Sequence, residues 1–547
     1  MHSIELALGM LLAVLASGYL VRALPVAVPL PLVQIALGGL IAGVFHHGVT
    51  LQPEVFFLLF LPPLLFLDGW RIPKDGLLRD RGMVLQLALG LVVFTVIGAG
   101  YFIHWLIPAM PLALAFALAA VISPTDPVAV SAVTARVPVP RRLMHILEGE
   151  SLLNDASGLV CFQFAVATVL TGSFALQSAA LAFSWVATTG LICGAAFTIV
   201  VAYLQQALTR RFGAEGGTSI LVNLLTPFGA YLLAEQLEAS GILAAVAAGV
   251  TMSYVELSGR AMATTRIERA AVWNTIQFTL NGVMFVLLGE QLPNILDNAI
   301  AAVQQSGHRE VWWLAVYAVS ITGVLIALRF AWVWVSFRLG RRKGAGQPSW
   351  VGHAHWKLVL ATALAGVRGA ITLAGVLTLP LLLPGGAPFP ARDLAIFLAA
   401  SVILLSLLIA SLGLPPLLRN LHLAADTLPQ EAEDMARSSA ANAAMAMVRK
   451  AQQEIEAEAH TLDAQVCADA ANRVIAAYQQ RLYATDLQEN TDAERLRHAD
   501  VVERRLRLAA LRAEREEILR LARRRQISDA TSRRLVQQID LMEELYR

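Results

Sequence analysis

Two short groups of polar residues interrupt apolar stretches of this sequence. The first is Ser123-Pro124-Thr125-Asp126-Pro127, and the second runs from Glu148 to Asp155. Ionisable side chains are costly to keep in a segment that spans a membrane, so each one is a candidate for binding or transport. The candidates of this kind are Asp68, Asp126, Glu148, Glu150, Asp155, Arg329 and Arg368. Because carboxylates outnumber arginines among them, a cavity that they line would attract a cation rather than an anion.

The first group predicts a break in a helix. Two prolines three residues apart remove two backbone donors, and they push the preceding residues Ser123 and Asp126 away from the helical conformation. Unwound backbone at membrane depth is tolerated only inside protein or along a cavity, where its carbonyl oxygens can bind a hard cation. We therefore expect the Asp126 side chain and the Thr125 carbonyl at a cation site. The alternative is a structural proline kink with a hydrogen-bonded Thr and Asp.

The second group predicts two polar strips on one helix. At about 100° per residue, Ser151 and Asp155 lie one above the other, and Glu150 and Asn154 lie on an adjacent strip. We assign the Ser151/Asp155 strip to binding the ion and the other strip to holding neighbouring elements. Desolvation favours the neutral form of a buried carboxylate, so Asp155 is expected to hold either a proton or a cation. Glu148 is interpreted as an ordinary interfacial carboxylate.

A lone arginine, Arg368, lies in a second interrupted segment, Gly366-Val367-Arg368-Gly369-Ala370. Two broken segments in separate halves of a chain indicate an inverted-repeat transporter with its site near the membrane midplane. A buried arginine needs a carboxylate partner, and Glu150 is the expected one. The alternative is that Arg368 binds an anionic substrate.

The composition requires most of the chain to lie in lipid. Hydrophobic residues make up 57% of the sequence and charged residues 15%, with a mean hydropathy of +0.61. A net charge of +2 favours neither nucleic acid nor acidic partners. The three cysteines lack the spacing of a metal site or a disulfide framework, and no Gly-Lys pair exists to form a phosphate-binding loop. ATP-driven pumping, enzymatic activity and a cofactor are therefore not expected.

About thirteen apolar stretches are long enough to cross, or nearly cross, a bilayer. They are residues 3–20, 27–45, 54–68, 83–107, 111–134, 148–171, 178–207, 218–236, 240–255, 271–290, 311–337, 356–383 and 393–417. We expect the first of them to be retained as a helix, not cleaved as a signal peptide. Basic residues concentrate in alternate loops, which places the N-terminus outside and the C-terminus in the cytoplasm of a bacterial inner membrane.

The chain changes character beyond Leu418. Residues 419–547 carry roughly half of all the charged residues, which predicts a separate cytosolic segment. Thr491 and Glu494 have the spacing of a capping box, and Leu535, Ile539, Met542 and Leu545 keep helical spacing. We interpret this segment as a small helical bundle with solvated faces. The alternative is a regulatory segment, for which the sequence shows no specific motif.

The motifs together resemble the cation:proton antiporter-1 family, the sodium/proton exchangers of bacteria, archaea and animals. The resemblance covers residues 5–420. Its specific parts are Leu61 to Asp68, Ser123 to Pro127, Glu148 to Asp155, Gly241 to Ala244 and Gly366 to Ala370. It implies a homodimer of about thirteen helices per chain, with a dimerisation domain and a mobile six-helix core around two crossed, unwound helices.

The resemblance also implies roles for individual residues. The family's ion site falls on Asp155, Asp126, Ser151 and the Thr125 backbone, with a water-linked acid at Asp68. Its core ion pair falls on Glu150 and Arg368. The pair Asn154-Asp155 is similar to the Asn-Asp pair of those family members that exchange one cation for one proton. The resemblance therefore implies exchange without net movement of charge.

We therefore expect a transmembrane exchanger in residues 1–418, exchanging Na⁺ for H⁺ in the service of pH and cation homeostasis. K⁺ or Li⁺ are the alternative cations. A gated cation channel or a membrane sensor would keep similar spans but would not need competition at a single carboxylate. An anion carrier is disfavoured by the surplus of carboxylates. The expected partners are the transported ions, the lipid bilayer and a second copy of the chain.

Overall fold

The computed structural model of this 547-residue chain describes most of its residues. The described residues are 2–24, 28–45, 53–71, 82, 86–126, 130, 141–171, 176–213, 216–256, 263–305, 311–342, 355–383, 386–419, 428–458, 464–486, 506–521, 524, 535–536 and 538–543. The chain forms two compact units, Met1–Leu423 and Ala424–Arg547. The expected division at residue 418 into a transmembrane exchanger domain and a cytosolic domain stays a prediction.

The described part of the first unit is helical, apart from one isolated bridge between Leu382 and Pro388. Its helices are α1 (His2–Ala23), α2 (Leu30–Phe45), α3 (Pro53–Arg71), α4 (Leu91–Leu106), α5 (Leu112–Ile122), α6 (Arg141–Thr171), α7 (Leu176–Phe212), α8 (Gly216–Gln236), α9 (Gly241–Glu256), α10 (Ala263–Gln305), α11 (Trp312–Arg342), α12 (His355–Leu364), α13 (Ala370–Leu377) and α14 (Arg392–Arg419). A π-helical turn, Gln86–Gly90, leads into α4.

Within the described residues, seven helices are long and apolar enough to cross a membrane, and four further apolar helices are shorter. Large apolar side chains stay exposed on several of them; on α7, for example, Ile192 is 69% and Tyr203 is 71% exposed. Water would make such a surface unfavourable, whereas lipid tails solvate it. Each predicted apolar stretch overlaps at least one helix, and the membrane-protein fold class is confirmed. The number of thirteen crossings stays a prediction.

The helices of the first unit pack in two groups. One contains α1–α3 and α7–α10, and the other contains α4–α6 and α11–α14, with α10 also packing against α14. Glycines permit the tightest approaches: a Cβ at Gly249 in α9 would overlap the backbone of Phe66 in α3. Small residues let backbones approach in this way where lipid supplies no hydrophobic driving force between helices.

Two interruptions meet between these helices. α5 ends at Ile122 and residues 123–126 are not helical, as the two prolines predicted. The second interruption lies between Leu364, the end of α12, and Ala370, the start of α13. The Asp126 N–H donates a hydrogen bond of 2.7 Å to the Val367 carbonyl oxygen, so the two unwound segments touch. The predicted pair of crossed, broken helices is confirmed.

The described part of the second unit is helical as well. α15 (Leu428–Glu458) packs on α16 (Ala464–Asp486), and residues 506–521 form a further helix. Residues 538–543 are helical with Ile539 buried, as its spacing predicted. The capping box at Thr491 and Glu494, and the last apolar position, Leu545, lie outside the described residues.

Candidate functional site

A small, partly open cavity lies where the broken segments face α3, α6 and α10. Its volume is about 30 Å³, enough for a water molecule or a dehydrated monovalent ion. Its lining comprises Leu64, Asp68, Pro124, Thr125, Asp126, Ser151, Asp155, Gln277, Asn281, Gly369, Ile371 and Thr372. The structure therefore brings all five residues predicted to bind the ion or proton to one place.

α6 presents Ser151 and Asp155 to this cavity from successive turns. Both side chains are buried, and Asp155 is only 4% exposed. One turn further, Gly158 packs against the Pro124 ring, and a Cβ at this position would overlap that ring. The glycine therefore lets α6 lie directly against the broken segment, which keeps the Asp155 carboxylate beside the unwound backbone.

Thr125 joins the break to the second polar strip of α6. Its hydroxyl donates to Glu150 Oε1 at 3.2 Å and accepts a hydrogen bond from Asn154 Nδ2 at 3.0 Å. All three residues are buried. The Thr125 hydroxyl thus ties the broken segment to the Glu150/Asn154 strip, the strip that was predicted to hold neighbouring elements. The ligand role predicted for the Thr125 carbonyl oxygen stays a prediction.

The expected ion pair between Glu150 and Arg368 is wrong. Glu150, which is fully buried, is held by the fork of Arg329 from α11, with Nη1 on Oε1 and Nη2 at 2.9 Å from Oε2. Arg329 Nε also donates to the Thr362 carbonyl oxygen at 3.0 Å. The sequence showed Arg329 as an arginine in an apolar span, but it could not show which arginine faces the glutamate.

Arg368 instead bonds to backbone carbonyls near the ends of two helices, α5 and α12, that stop inside the protein. Its Nε donates to the Ile122 carbonyl oxygen at 2.9 Å, and its Nη1 donates to the Gly366 carbonyl oxygen. The last carbonyls of a helix have no partner within it and carry a partial negative charge. One guanidinium, with several donors in a fixed plane, can satisfy carbonyls at both breaks. This geometry leaves Arg368 committed to backbone, which disfavours the alternative of an anionic substrate.

The opposite helix end faces Asp126. Gly369 is the N-cap of α13, and a Cβ there would overlap the Asp126 carboxylate. The carboxylate therefore packs against the start of a helix, where free N–H groups favour a negative charge. Only glycine permits this close approach.

The wall across the cavity comes from α3 and α10. It carries Asp68, predicted from the family resemblance, and two carboxamides, Gln277 and Asn281, which are one turn apart. Sequence reasoning missed both amides, since a neutral side chain in a long amphipathic helix has no cost that would mark it. Glu148 lies in α6, but its side chain lies outside those described, so its interfacial role stays a prediction.

Asp155 differs from its acidic neighbours in its surroundings. Among the described residues, no arginine or lysine pairs with it, whereas Glu150 has Arg329 and Asp126 has the α13 N-terminus. A buried carboxylate without a fixed cation is most stable when it binds a proton or a mobile cation. The described residues contain no cluster of three His, Cys, Asp or Glu side chains suited to a metal ion, and the cavity oxygens come from carboxylates, hydroxyls, amides and backbone.

Crossed broken helices around a buried acidic cavity define a secondary carrier of the sodium/proton antiporter fold. The antiporter MjNhaP1 from Methanocaldococcus jannaschii, described as a sodium proton antiporter, superimposes with a TM-score of 0.56 at 17% identity. The match covers 76% of this chain and 99% of that chain. At this identity the likeness shows the fold alone.

Sequence comparison identifies the family. Residues 10–420 match the family described as "Sodium/hydrogen exchanger, transmembrane". An uncharacterized Na⁺/H⁺ exchanger of Escherichia coli, YjcE, is 40% identical over 98% of this chain and 97% of its own length. A sodium, potassium, lithium and rubidium/H⁺ antiporter of Bacillus subtilis is 38% identical over 98% of this chain and 77% of its own length. The chain belongs to the sodium/hydrogen exchanger family.

Proposed function

We propose that this chain is a secondary antiporter that exchanges a monovalent cation, Na⁺ first among them, for a proton across a membrane. The observation that carries the proposal is the Asp155 carboxylate, which is buried, faces the cavity and has no cationic side chain beside it among the described residues. Family membership and the activities for which the E. coli and B. subtilis relatives are named support it.

Competition at Asp155 supplies the exchange. A proton and a cation both neutralise the same carboxylate, and a cavity of about 30 Å³ favours one occupant at a time. An empty, charged Asp155 is costly to enclose in a low dielectric medium. If the carrier can switch its ion site from one side of the membrane to the other only when Asp155 is neutralised, the uphill movement of one ion is coupled to the downhill movement of the other.

The ligands proposed for the cation are Asp155, Asp126, the Ser151 hydroxyl and the Thr125 carbonyl, with Asp68 holding a water or proton nearby. Oxygen atoms of these kinds suit hard monovalent cations. The pair Asn154-Asp155 is similar to that of family members that exchange one cation for one proton, and Asn154 is a neutral amide bonded to Thr125. We therefore propose electroneutral exchange of one cation for one proton.

The two relatives are named for different cations. The E. coli relative is described for Na⁺, and the B. subtilis relative for sodium, potassium, lithium and rubidium. Exchange of K⁺ or Li⁺ is therefore the second candidate, and it uses the same site.

We also propose the setting of the exchanger. It would work as a homodimer in a bacterial inner membrane, with the N-terminus outside and residues 419–547 in the cytoplasm as a regulatory segment. The distribution of basic loops supports the orientation, and the helical second unit supports a separate segment.

Proteoliposomes loaded with a pH-sensitive dye test the function. Addition of Na⁺ to one side should move protons in the opposite direction, and this signal should persist when the membrane potential is clamped. Asp155→Asn should abolish it, whereas Asp297→Asn, at an exposed position of α10, should leave it unchanged. Exchange of normal rate in Asp155→Asn would refute the site, and cation flux without counter-movement of protons would favour a channel.

A further inference from the structure

Arg71, the last residue of α3, bridges to α10 immediately outside the cavity. Its Nη1 donates to Gln277 Oε1 at 2.7 Å, and its Nη2 donates to Asn274 Oδ1 at 2.5 Å. Asn274 and Gln277 are three residues apart, so they lie on one face of α10 and match the fork of a guanidinium. We call these three residues the mouth clamp.

The mouth clamp is connected to the cation site through two of its neighbours. Gln277 lines the cavity itself, and Asp68, three residues before Arg71 on α3, lines it as well. The Asp68 carboxylate attracts the Arg71 guanidinium. Arg71 and Asn274 are exposed, whereas Gln277 is half-buried and lines the cavity that Asp155 also lines, so the clamp extends from the protein surface to the cavity wall.

The bond from Arg71 also decides how Gln277 is oriented. A guanidinium has donors only, so the carboxamide must turn its oxygen toward Arg71. The part of Gln277 left for other partners is then its NH₂ group and one remaining lone pair of a polarised oxygen. An NH₂ group donates to carboxylates and repels cations, so Gln277 in this orientation is a poor cation ligand.

The bonds of Arg71 are not needed to hold the end of α3. Trp70 Nε1 donates to Glu256 Oε2 at 2.7 Å, Glu256 pairs with Arg269, and the Phe66 ring stacks on Trp273 at 5.4 Å. This neighbouring cluster already ties α3 to α9 and α10. Hydrogen bonds of an exposed arginine add little stability by comparison, so the position of Arg71 calls for another explanation.

We propose that the mouth clamp limits the apparent affinity of the exchanger for its cation. The positive charge of Arg71 repels an entering cation and attracts Asp68, and its bond withdraws the Gln277 oxygen from the site. This inference rests on the proposed cation/proton exchange. It assigns Arg71, Asn274 and Gln277 a role in setting the apparent affinity, while Asp155 binds the ion.

The test compares Arg71→Gln with the wild-type exchanger in proteoliposomes at low ionic strength. Loss of the charge should lower the half-saturating Na⁺ concentration by about two- to seventeenfold, the effect of one unit charge taken to lie about 10 Å from the cation at an effective dielectric constant between about 80 and 20. The difference should shrink when an impermeant salt is added. Arg71→Lys keeps the charge but lacks the planar fork, so it should lie between the two.

Arg210→Gln is the matched control, since it removes an exposed arginine from the end of α7, away from the cavity. It should leave the half-saturating concentration unchanged. Equal half-saturating concentrations in Arg71→Gln and wild type would overturn the proposal. If Arg71→Gln does not yield folded protein, Arg71→Met, which also removes the charge and keeps an apolar stem, carries the test, and a half-saturating concentration equal to that of wild type would overturn the proposal. Absence of any exchange by the wild type would instead refute the proposed function.

Discussion

The pairing of Glu150 with Arg329 leads to a quantitative prediction about stability. Glu150 is fully buried, and Arg329 supplies two donors to its carboxylate and a third to the Thr362 carbonyl oxygen. Arg329→Met would leave one buried charge uncompensated and one buried carbonyl unpaired. Removal of one partner of a buried ion pair costs about 3–5 kcal/mol, so we expect a loss of free energy of unfolding in this range.

A double-mutant cycle identifies the partner directly. When Glu150→Gln is combined with Arg329→Met, the double variant should be more stable than the sum of the single effects by about 2–3 kcal/mol, because the second change removes the stranded charge. The same cycle with Arg368→Met should give a smaller coupling, since Arg368 attracts Glu150 without forming an ion pair and bonds to backbone carbonyls instead.

Unfolding in mixed micelles, followed by tryptophan fluorescence, measures these free energies. Arg338→Met provides a control on the same helix: this exposed side chain stacks on Trp334 at 4.3 Å and should contribute about 1 kcal/mol or less. A larger coupling of Glu150 with Arg368 than with Arg329 would refute the assignment of the pair.

Two other predictions concern the cavity. Because one proton excludes one cation at Asp155, the half-saturating Na⁺ concentration should rise by about tenfold for each unit by which the pH falls, in the range where Asp155 is mainly protonated. A half-saturating concentration that does not depend on pH in flux assays would contradict competition. Gly369→Ala should lower exchange more than tenfold, because its methyl group would occupy the space of the Asp126 carboxylate; Gly43→Ala, where a Cβ meets nothing, should exchange normally, and equal rates in the two variants would refute the close approach.

The sequence predicted those features that follow from local chemistry. The prolines at 124 and 127 allowed no continuous helix, and helical periodicity placed Ser151 with Asp155 on one face. It could not predict which distant side chains meet. Both Arg329 and Arg368 lie in apolar segments, and only the folded arrangement of the helices brings Arg329 of α11 to Glu150 of α6.

The cavity amides show another limit of sequence reasoning. The cost of burying a charge marks a carboxylate or an arginine within an apolar segment, but it does not mark a neutral side chain. Gln277 and Asn281 became visible only when α10 was placed against α3 and the broken segments. The same holds for Arg71. In the sequence it was one of the basic residues whose distribution predicted the orientation of the chain in the membrane, and nothing indicated that it would contact Gln277.

The arrangement of charges explains why a single carboxylate is left to exchange. Glu150 is neutralised by Arg329. The ends of α5 and α12 each carry about half a negative charge, and the one positive charge of Arg368 lies between them. Asp126 lies at the start of α13, where about half a positive charge offsets it.

Asp155 alone, among the buried acids described at the break, has no fixed compensation of this kind. Its charge must therefore be balanced by something that can leave. A fixed cation beside Asp155 would stabilise the carrier with no ion bound. The empty carrier could then expose its site to either side of the membrane, which would uncouple the two fluxes. The absence of an arginine or lysine partner among the described residues is thus what strict coupling requires. Ser151→Lys, one turn from Asp155, should therefore give a folded carrier whose proton movement, followed with a pH-sensitive dye in proteoliposomes, no longer responds to Na⁺; proton movement driven by Na⁺ at the wild-type rate would contradict this account.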